Sequence, residues 1–255
     1  MAAKPTVKKT ASRKPAPAKS AKPASKRSAL ADAPKRPAPR RDQAPERVKP
    51  ILTILGETYP EAECALHHHS PWELLIATIL SAQCTDVRVN MVTPKLFAAY
   101  PTPAAMASAP IEVLEELIRT TGFYHNKAKS IQGAGRAITE RFNGEVPQTL
   151  AELITVPGAA RKTANVVLGV CFGKAEGLVV DTHVFRIARR LGLAHGDTAQ
   201  KVEQELMKVV PPDRWIQISH ELILHGRAIC DARKPKCAQC PLESLCRSED
   251  KTWRS

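Results

Sequence analysis

The sequence lacks any long hydrophobic run. Its longest apolar stretch, Leu74 to Leu80, is interrupted by Thr78 and is far shorter than the roughly 20 residues that a membrane-spanning helix needs. No apolar segment follows the basic residues at the N-terminus, so no secretory signal is visible and we expect no membrane partner. Long alternating strand patterns are also absent, which predicts an all-α fold. With 43% hydrophobic residues, the chain can still bury a sizeable core.

Residues 1–45 lack aromatic side chains and are poor in acidic ones. They contain thirteen Lys and Arg against two Asp, and eight of the 21 prolines, so they carry +11 of the formal net charge of +13. Such a segment cannot bury a core, which predicts a disordered basic tail rich in Lys, Pro and Ala. Three roles stay open: a solvated tail, a transit peptide, which the prolines disfavour, and a sequence-independent nucleic-acid contact, which we favour.

The rest of the chain has the pattern of a series of short helices. Ser70, Pro71 and Glu73, for example, form an N-cap, a first-turn proline and a capping glutamate. The helix that follows them is apolar on nearly every side, which predicts that it is the most buried helix. The predicted helices cover residues 46–58, 71–82, 87–99, 103–107, 110–120, 126–142, 150–154, 160–172, 182–192, 198–210 and 213–226.

Residues 149–172 predict two helices joined by a tight hairpin. Thr149 and Glu152 form a capping box for the first helix, and a Val-Pro-Gly turn then breaks it. The N–H groups at the start of the second helix lack partners inside that helix, and the helix dipole there favours anions. This corner can therefore hold a phosphate. The candidate residues of this corner for contact with a nucleic-acid phosphate are Gly158, Ala160 and Arg161.

Two residues near this hairpin carry groups that could do chemistry. Lys162 lies in the first turn of the second helix, where the dipole disfavours a positive charge. Asp181 lies nineteen residues further on, at the predicted start of another helix. Taken alone, Lys162 would be an ordinary exposed lysine and Asp181 an N-cap.

Four of the seven cysteines fall within 17 residues near the C-terminus. Cys230, Cys237, Cys240 and Cys246 have the spacing C-x6-C-x2-C-x5-C. A disulfide framework is disfavoured in a chain of this size that shows no secretion signal. Four thiolates suit either zinc or an iron–sulfur cluster, and the ligand type alone does not separate the two. The other three cysteines are expected to pack as small apolar side chains.

Together these motifs resemble the endonuclease III family of bifunctional DNA glycosylases and abasic-site lyases. VPGAARKTANVVL followed by VDTH resembles the family's helix-hairpin-helix motif and catalytic aspartate, and the similarity spans roughly residues 46–249. The resemblance implies that Lys162 is the nucleophile and Asp181 its catalytic partner. The sequence departs from the family in two places. Val156 and Ala160 replace a leucine and a second glycine, and the loop before Asp181 is one residue longer. An alanine at a position that needs a positive φ would add about 1 kcal/mol of strain.

The resemblance also implies a cofactor and a domain organisation. The four cysteines match the family's signature for a [4Fe–4S] cluster, with zinc as the lesser alternative. The loop between them is expected to contact the DNA backbone through Arg233, Lys234 and Lys236. We expect residues 64–175 to form a six-helix domain that contains the hairpin, and residues 46–63 plus 176–255 to form a helical iron–sulfur cluster domain. DNA would lie across the cleft between these two lobes.

A base must leave the helical stack before such an enzyme can excise it, and inserted side chains fill the gap. By resemblance, Gln83 in the segment Ser-Ala-Gln is the inserted glutamine. Phe123 in the segment Gly-Phe-Tyr matches the second insertion position, which is often a leucine in the family. The alternatives are a polar residue at a helix C-terminus for Gln83 and a core aromatic for Phe123.

These observations predict a base excision repair enzyme that removes oxidised pyrimidines from duplex DNA and cleaves abasic sites by β-elimination through a lysine Schiff base. We expect a monomer that is cytoplasmic and nucleoid-associated in a bacterium, or nuclear or mitochondrial in a eukaryote. Two alternatives stay open. A monofunctional enzyme resembling adenine-DNA glycosylase would lack the nucleophilic lysine, and a non-catalytic helix-hairpin-helix DNA-binding module would need no Lys–Asp pair.

Deleting residues 1–44 should weaken DNA binding and reduce its dependence on salt. Each neutralised phosphate contributes roughly −0.9 to the slope of log affinity against log salt, so about four engaged tail charges would account for 3–4 units of slope. A salt titration of binding to undamaged duplex, for the full chain and the truncated protein, measures the difference. Single-turnover excision at saturating protein should not change, because every candidate catalytic residue lies outside the tail. Equal slopes would contradict a DNA contact by the tail.

Overall fold

The structure is a computed structural model that describes residues 45–253, and all regular secondary structure in that range is helical. The predicted all-α class is therefore confirmed, while the predicted basic tail lies outside the described residues. Each predicted helix is present, with ends that differ by at most a few residues. The α-helices of the described range are α1 (Pro45–Thr58), α2 (Pro71–Leu80), α3 (Asp86–Ala99), α4 (Pro103–Ser108), α5 (Ile111–Ile118), α6 (Tyr124–Arg141), α7 (Leu150–Leu153), α8 (Arg161–Phe172), α9 (Thr182–Arg190), α10 (Ala199–Val209) and α11 (Trp215–Ala228).

Hydroxyl side chains set the start of several helices. Ser70 Oγ accepts a hydrogen bond from the Glu73 N–H at 3.2 Å, and Thr149 Oγ1 accepts one from the Glu152 N–H at 3.3 Å. Thr198 caps α10 in the same way. Each bond satisfies an N–H group that has no partner inside its helix, which is why these positions begin helices.

Helix α2 is the most enclosed element of the first hydrophobic cluster. Eight of its ten residues are buried, and it packs against α3, α6 and α8. The cluster collects apolar side chains from Leu66 to Leu168. An apolar surface on nearly every side of a helix requires neighbours on every side, so the sequence pattern and the packing agree.

A second hydrophobic cluster joins the N-terminal helix to the C-terminal half of the chain. It takes Val48, Ile51, Leu52 and Leu55 from α1, and the remaining members lie between Leu178 and Leu242. These clusters support the predicted division into two lobes, although the exact boundaries of the lobes stay a prediction. Within residues 45–253, no helix combines the length and the apolar character that a membrane crossing requires.

The hairpin between α7 and α8 is fixed by its glycine. Gly158 has a φ of +81°, and a Cβ at this position would lie 3.0 Å from Ser130 Cβ and 3.2 Å from side-chain carbons of Ile79. Ala160, in contrast, has a φ of −69° and a ψ of 166°. The expectation of strain at Ala160 is therefore wrong: the chain is extended there, so an alanine fits without cost.

Replacing Gly158 by alanine should destabilise the protein more than the same change at Gly144. Both glycines have a positive φ, +81° and +83°, but nothing lies within 4 Å of a Cβ built at Gly144. Gly144→Ala should lower the free energy of unfolding by about 1 kcal/mol through backbone strain. Gly158→Ala adds overpacking against α2 and α6 and should lower it by about 3 kcal/mol. Urea unfolding of both variants measures the difference, and equal losses would show that the packing around Gly158 relaxes freely.

Candidate active site

The two candidate catalytic residues line one cavity. Lys162 is exposed in the first turn of α8, and Asp181 is the N-cap residue of α9. The cavity has a volume of about 130 Å³ and opens between these helices, the C-terminal end of α2 and α11. Helix α8 belongs to the first hydrophobic cluster and α9 to the second. The site therefore lies where the two clusters meet.

Asp181 caps α9 through one oxygen of its carboxylate. Its Oδ1 accepts hydrogen bonds from the N–H groups of His183 and Val184, both at 2.8 Å. Within the described part of the chain, its other oxygen, Oδ2, accepts no hydrogen bond. The cap fixes the orientation of the carboxylate and leaves one oxygen available in the cavity. The N-cap interpretation and the catalytic one are thus compatible.

The corner before α8 has unpaired N–H groups. Among residues 45–253, no acceptor is found for the N–H groups of Gly158, Arg161, Lys162 and Thr163. The Ala160 N–H instead donates to the Gly158 carbonyl at 3.2 Å, so it is engaged inside the hairpin. The free N–H groups and the dipole of α8 make this corner suitable for an anion such as a phosphate.

The Arg161 side chain forms an ion pair with a residue of α10, so it is not free to contact DNA. Its Nη2 lies 3.0 Å from Glu203 Oε1, and its Nε donates to the same carboxylate at 3.2 Å. Glu203 is buried, and Asn165 Nδ2 also donates to it at 3.4 Å. Arg161 therefore links the start of α8 to the second cluster. Its predicted contact with DNA would have to compete with this pair.

The sequence motifs did not indicate two further features of the cavity, an ion pair and a histidine. Arg227 of α11 pairs with Asp86 of α3 at 2.5 Å, which joins the two clusters at the edge of the cavity. His220 of α11 also lines the cavity. Burial lowers the pKa of its imidazole, while the nearby Glu63 carboxylate acts in the opposite direction. Asp86 and Arg227 are too far apart in the sequence for any local pattern to reveal their pairing.

The candidate insertion residues project from two loops with an unusual backbone. Gln83 has a φ of +53° and Phe123 a φ of +50°, both in the left-handed region that non-glycine residues rarely adopt. Phe123 is 65% exposed, so the interpretation as a core aromatic is wrong. Gln83 is also exposed and lies beyond the end of α2. Strained, exposed side chains of this kind are found mainly at functional sites.

The four clustered cysteines line a single cavity close to the C-terminal end of α11. Protein groups surround their sulfur atoms. Arg190 Nη1 donates to Cys230 Sγ at 3.2 Å, and the Thr252 N–H donates to Cys237 Sγ at 3.4 Å. Hydrogen bonds to sulfur are one means by which proteins tune an iron–sulfur cluster. Of the predicted basic residues between the cysteines, Arg233 and Lys234 are exposed, whereas Lys236 Nζ donates to the Ala228 carbonyl at 2.9 Å.

The cavity lined by the four cysteines fits an iron–sulfur cluster, because four sulfur ligands converge on it. Burial, with repulsion from the other three cysteines, raises the pKa of Cys240 to about 11. A bound metal group would favour the thiolate form of Cys240, since metal ligands must be deprotonated.

Most of the described part of the chain is similar to known proteins. Residues 76–212 match the family model described as HhH-GPD superfamily base excision DNA repair protein, and residues 230–246 match the iron-sulfur binding domain of endonuclease III. Endonuclease III of Synechocystis sp. is 54% identical over 203 residues, which cover 80% of this chain and 93% of that protein.

Two solved structures are similar over the same range. A non-covalent endonuclease III–DNA complex has a TM-score of 0.76 and 44% identity, covering 80% of this chain and 95% of that chain. A trapped endonuclease III–DNA covalent intermediate, described as an estranged-adenine complex, has a TM-score of 0.76 and 45% identity with the same coverage.

Cys237→Ala should abolish the broad visible absorbance of the purified protein, because it removes one of the four cluster ligands. Cys171→Ala is the matched control, since Cys171 packs against the first hydrophobic cluster and lies outside the cysteine cavity. The measurements are the absorbance spectrum and the content of iron and inorganic sulfide. Retention of both in Cys237→Ala would contradict its assignment as a ligand.

Proposed function

The chain belongs to the endonuclease III family, and we propose that it excises oxidised pyrimidines from duplex DNA with Lys162 as nucleophile and Asp181 as its base. It is a base excision repair enzyme with DNA glycosylase and abasic-site lyase activities, and it binds DNA and a [4Fe–4S] cluster. One observation supports the assignment of residues most strongly. Lys162 and Asp181, brought by helices of different hydrophobic clusters, line the same cavity.

Neutral Lys162 would attack C1′ of the damaged nucleotide with its lone pair. The new C1′–N bond forms as the glycosidic bond breaks, and the base leaves with the electron pair of that bond and is protonated. Loss of a proton from the attached amine and opening of the sugar ring then give the Schiff base. The Schiff base acidifies the proton on C2′, and its removal expels the 3′ phosphate by β-elimination. Water finally hydrolyses the Schiff base and releases the lysine.

Asp181 would serve the first of these steps. Its Oδ2 is available in the cavity while Oδ1 is held by the N-terminus of α9. The carboxylate can accept the proton that Lys162 loses, and its negative charge stabilises the positive charge that develops on the sugar. Because the capping bonds fix the carboxylate before substrate binds, little reorganisation is needed in the reaction.

Separate elements would hold the DNA on each side of this site. The unpaired N–H groups before α8 suit one backbone phosphate, and the exposed Arg233 and Lys234 suit others. Gln83 and Phe123 would fill the space that the extruded nucleotide leaves, since both are exposed on loops near this face.

We further propose that the enzyme acts as a monomer in the compartment that holds the DNA: the cytoplasm of a bacterium, or the nucleus or a mitochondrion of a eukaryote.

Lys162→Ala should abolish covalent trapping of the protein on an abasic-site duplex by borohydride. Only a Schiff base is reduced to a stable adduct, and Lys162 is the proposed amine. Lys95→Ala, which changes an exposed lysine of α3, should trap normally and serves as the control. Trapping that persists in Lys162→Ala would mean that another amine is the nucleophile. It would not by itself exclude glycosylase activity.

Asp181→Asn should reduce the single-turnover rate by roughly 10²–10⁴-fold, the usual range for loss of a general base. Asparagine is also a good N-cap, so α9 and the affinity for DNA should be retained. The matched control is Asp197→Asn at an exposed position. Excision rates, DNA affinity and melting temperature would be compared. An unchanged rate would leave Asp181 with only its capping role.

A further inference from the structure

Lys127, in the first turn of α6, is a buried cation with unusual partners. It is 6% exposed, and its Nζ donates to the carbonyl oxygens of Leu80 and Thr121, both at 2.8 Å. In the described range, no carboxylate lies within ion-pairing distance of this ammonium. Its charge is therefore met by backbone carbonyls alone.

This arrangement is costly for a group that only fills space. Burial lowers the pKa of Lys127, with an opposing effect of nearby Cys84, because an ammonium loses its hydration inside a protein. A methionine side chain would occupy a similar volume without that cost. The Leu80 carbonyl lies at the negative end of the α2 dipole, which offsets part of the penalty. The benefit of a lysine must therefore come from the two segments that it connects.

Both of these segments lead directly to a candidate insertion residue. Leu80 is three residues before Gln83, and Thr121 is two residues before Phe123. Since each carbonyl oxygen lies 2.8 Å from Nζ, the two oxygens are at most 5.6 Å apart, twice that distance. One ammonium group thus sets the distance between the two backbone segments from which the exposed loops of Gln83 and Phe123 begin.

Other bonds near these loops are local. Thr121 Oγ1 donates to Ile118, Ser81 Oγ donates to Thr78, and the Cys84 N–H donates to Ser81. Phe123, the N-cap residue of α6, makes no side-chain capping bond. In the part of the chain that the structure describes, Lys127 is the side chain that hydrogen-bonds to both segments. Local bonds shape each loop, whereas Lys127 links one loop to the other.

We infer that Lys127 is a positioning residue that holds Gln83 and Phe123 at a fixed separation, so that both insert at the same base-pair step of the duplex. The inference rests on the proposed function, because it takes those two residues as the inserted side chains. Lys127 touches neither DNA nor the reacting atoms in this role. It acts by keeping two strained loops in register before the substrate arrives.

The role predicts an effect that depends on the base opposite the lesion. A lesion paired with a purine must be separated from its partner, whereas a lesion opposite a stable abasic analogue has no partner base to displace. Lys127→Met should slow single-turnover excision of thymine glycol opposite adenine by roughly tenfold to a hundredfold, the range expected for a small misplacement. Excision opposite the abasic analogue should change by less than about threefold.

Three variants serve as controls. Lys129→Met changes an exposed lysine on the same helix and should leave both rates unchanged. Lys127→Arg keeps a buried cation with several donors and should restore part of the paired-lesion rate. Double variants of Lys127→Met with Gln83→Ala or Phe123→Ala should lose less than the product of the single effects, since residues that act through one another are not additive. If Lys127→Met does not fold, Lys127→Gln, which retains a donor, replaces it.

The outcomes separate this inference from the proposed function. Equal losses on the paired and unpaired lesions, or single effects that multiply in the double variants, would overturn the positioning role and indicate a general structural one. If Gln83→Ala and Phe123→Ala excise paired and unpaired lesions at normal rates, the proposed insertion roles fail whatever Lys127 does. A selective loss in Lys127→Met, together with non-additive double variants, supports the inference.

Discussion

The enclosure of α2 on all sides is the constraint on which the rest of the site depends. Ile79 packs against the hairpin glycine, the Leu80 carbonyl accepts a hydrogen bond from Lys127, and Thr78 and Ser81 line the candidate active-site cavity. Because buried helices are close-packed, a shift of α2 would move the hairpin, the cavity wall and an insertion loop together. A helix without a polar face thus supplies the fixed reference for several polar groups of the candidate site.

The helices could be predicted because their signals are local. A hydroxyl N-cap, an early proline or a glycine stop acts within one or two turns, so Ser70, Thr149 and Gly144 mark their boundaries in the sequence itself. The cysteine spacing is equally local. How the helices pair could not be worked out from such signals. The assignment of α1 to the second hydrophobic cluster, for example, depends on contacts with residues more than a hundred positions away.

The site was predictable only where a motif carries the chemistry. Lys162, Asp181 and the cysteines stand in motifs, whereas the pairing of Arg161 with Glu203 depends on how α8 meets α10. Lys127 shows the same limit more clearly. Its sequence neighbourhood is that of an ordinary polar helix start, and only the tertiary structure reveals a buried ammonium between two loops. At Ala160 the unpredicted feature is the backbone conformation. The chain is extended there, so no glycine is needed, and no local sequence pattern indicated this.

The loop before Asp181 is held at two points, against the Arg161–Glu203 pair and at the start of α9. Gly177 in this loop lies against the ion pair of Arg161 with the buried Glu203, and a Cβ at that position would lie 2.5 Å from Asn165 Nδ2 and even closer to the Glu203 carboxylate. The absence of a side chain lets the loop backbone pack directly on this ionic link between the clusters. Asp181 is then fixed independently by its two bonds to the start of α9. The loop is therefore anchored at both points, and the cap fixes the position of the Asp181 carboxylate.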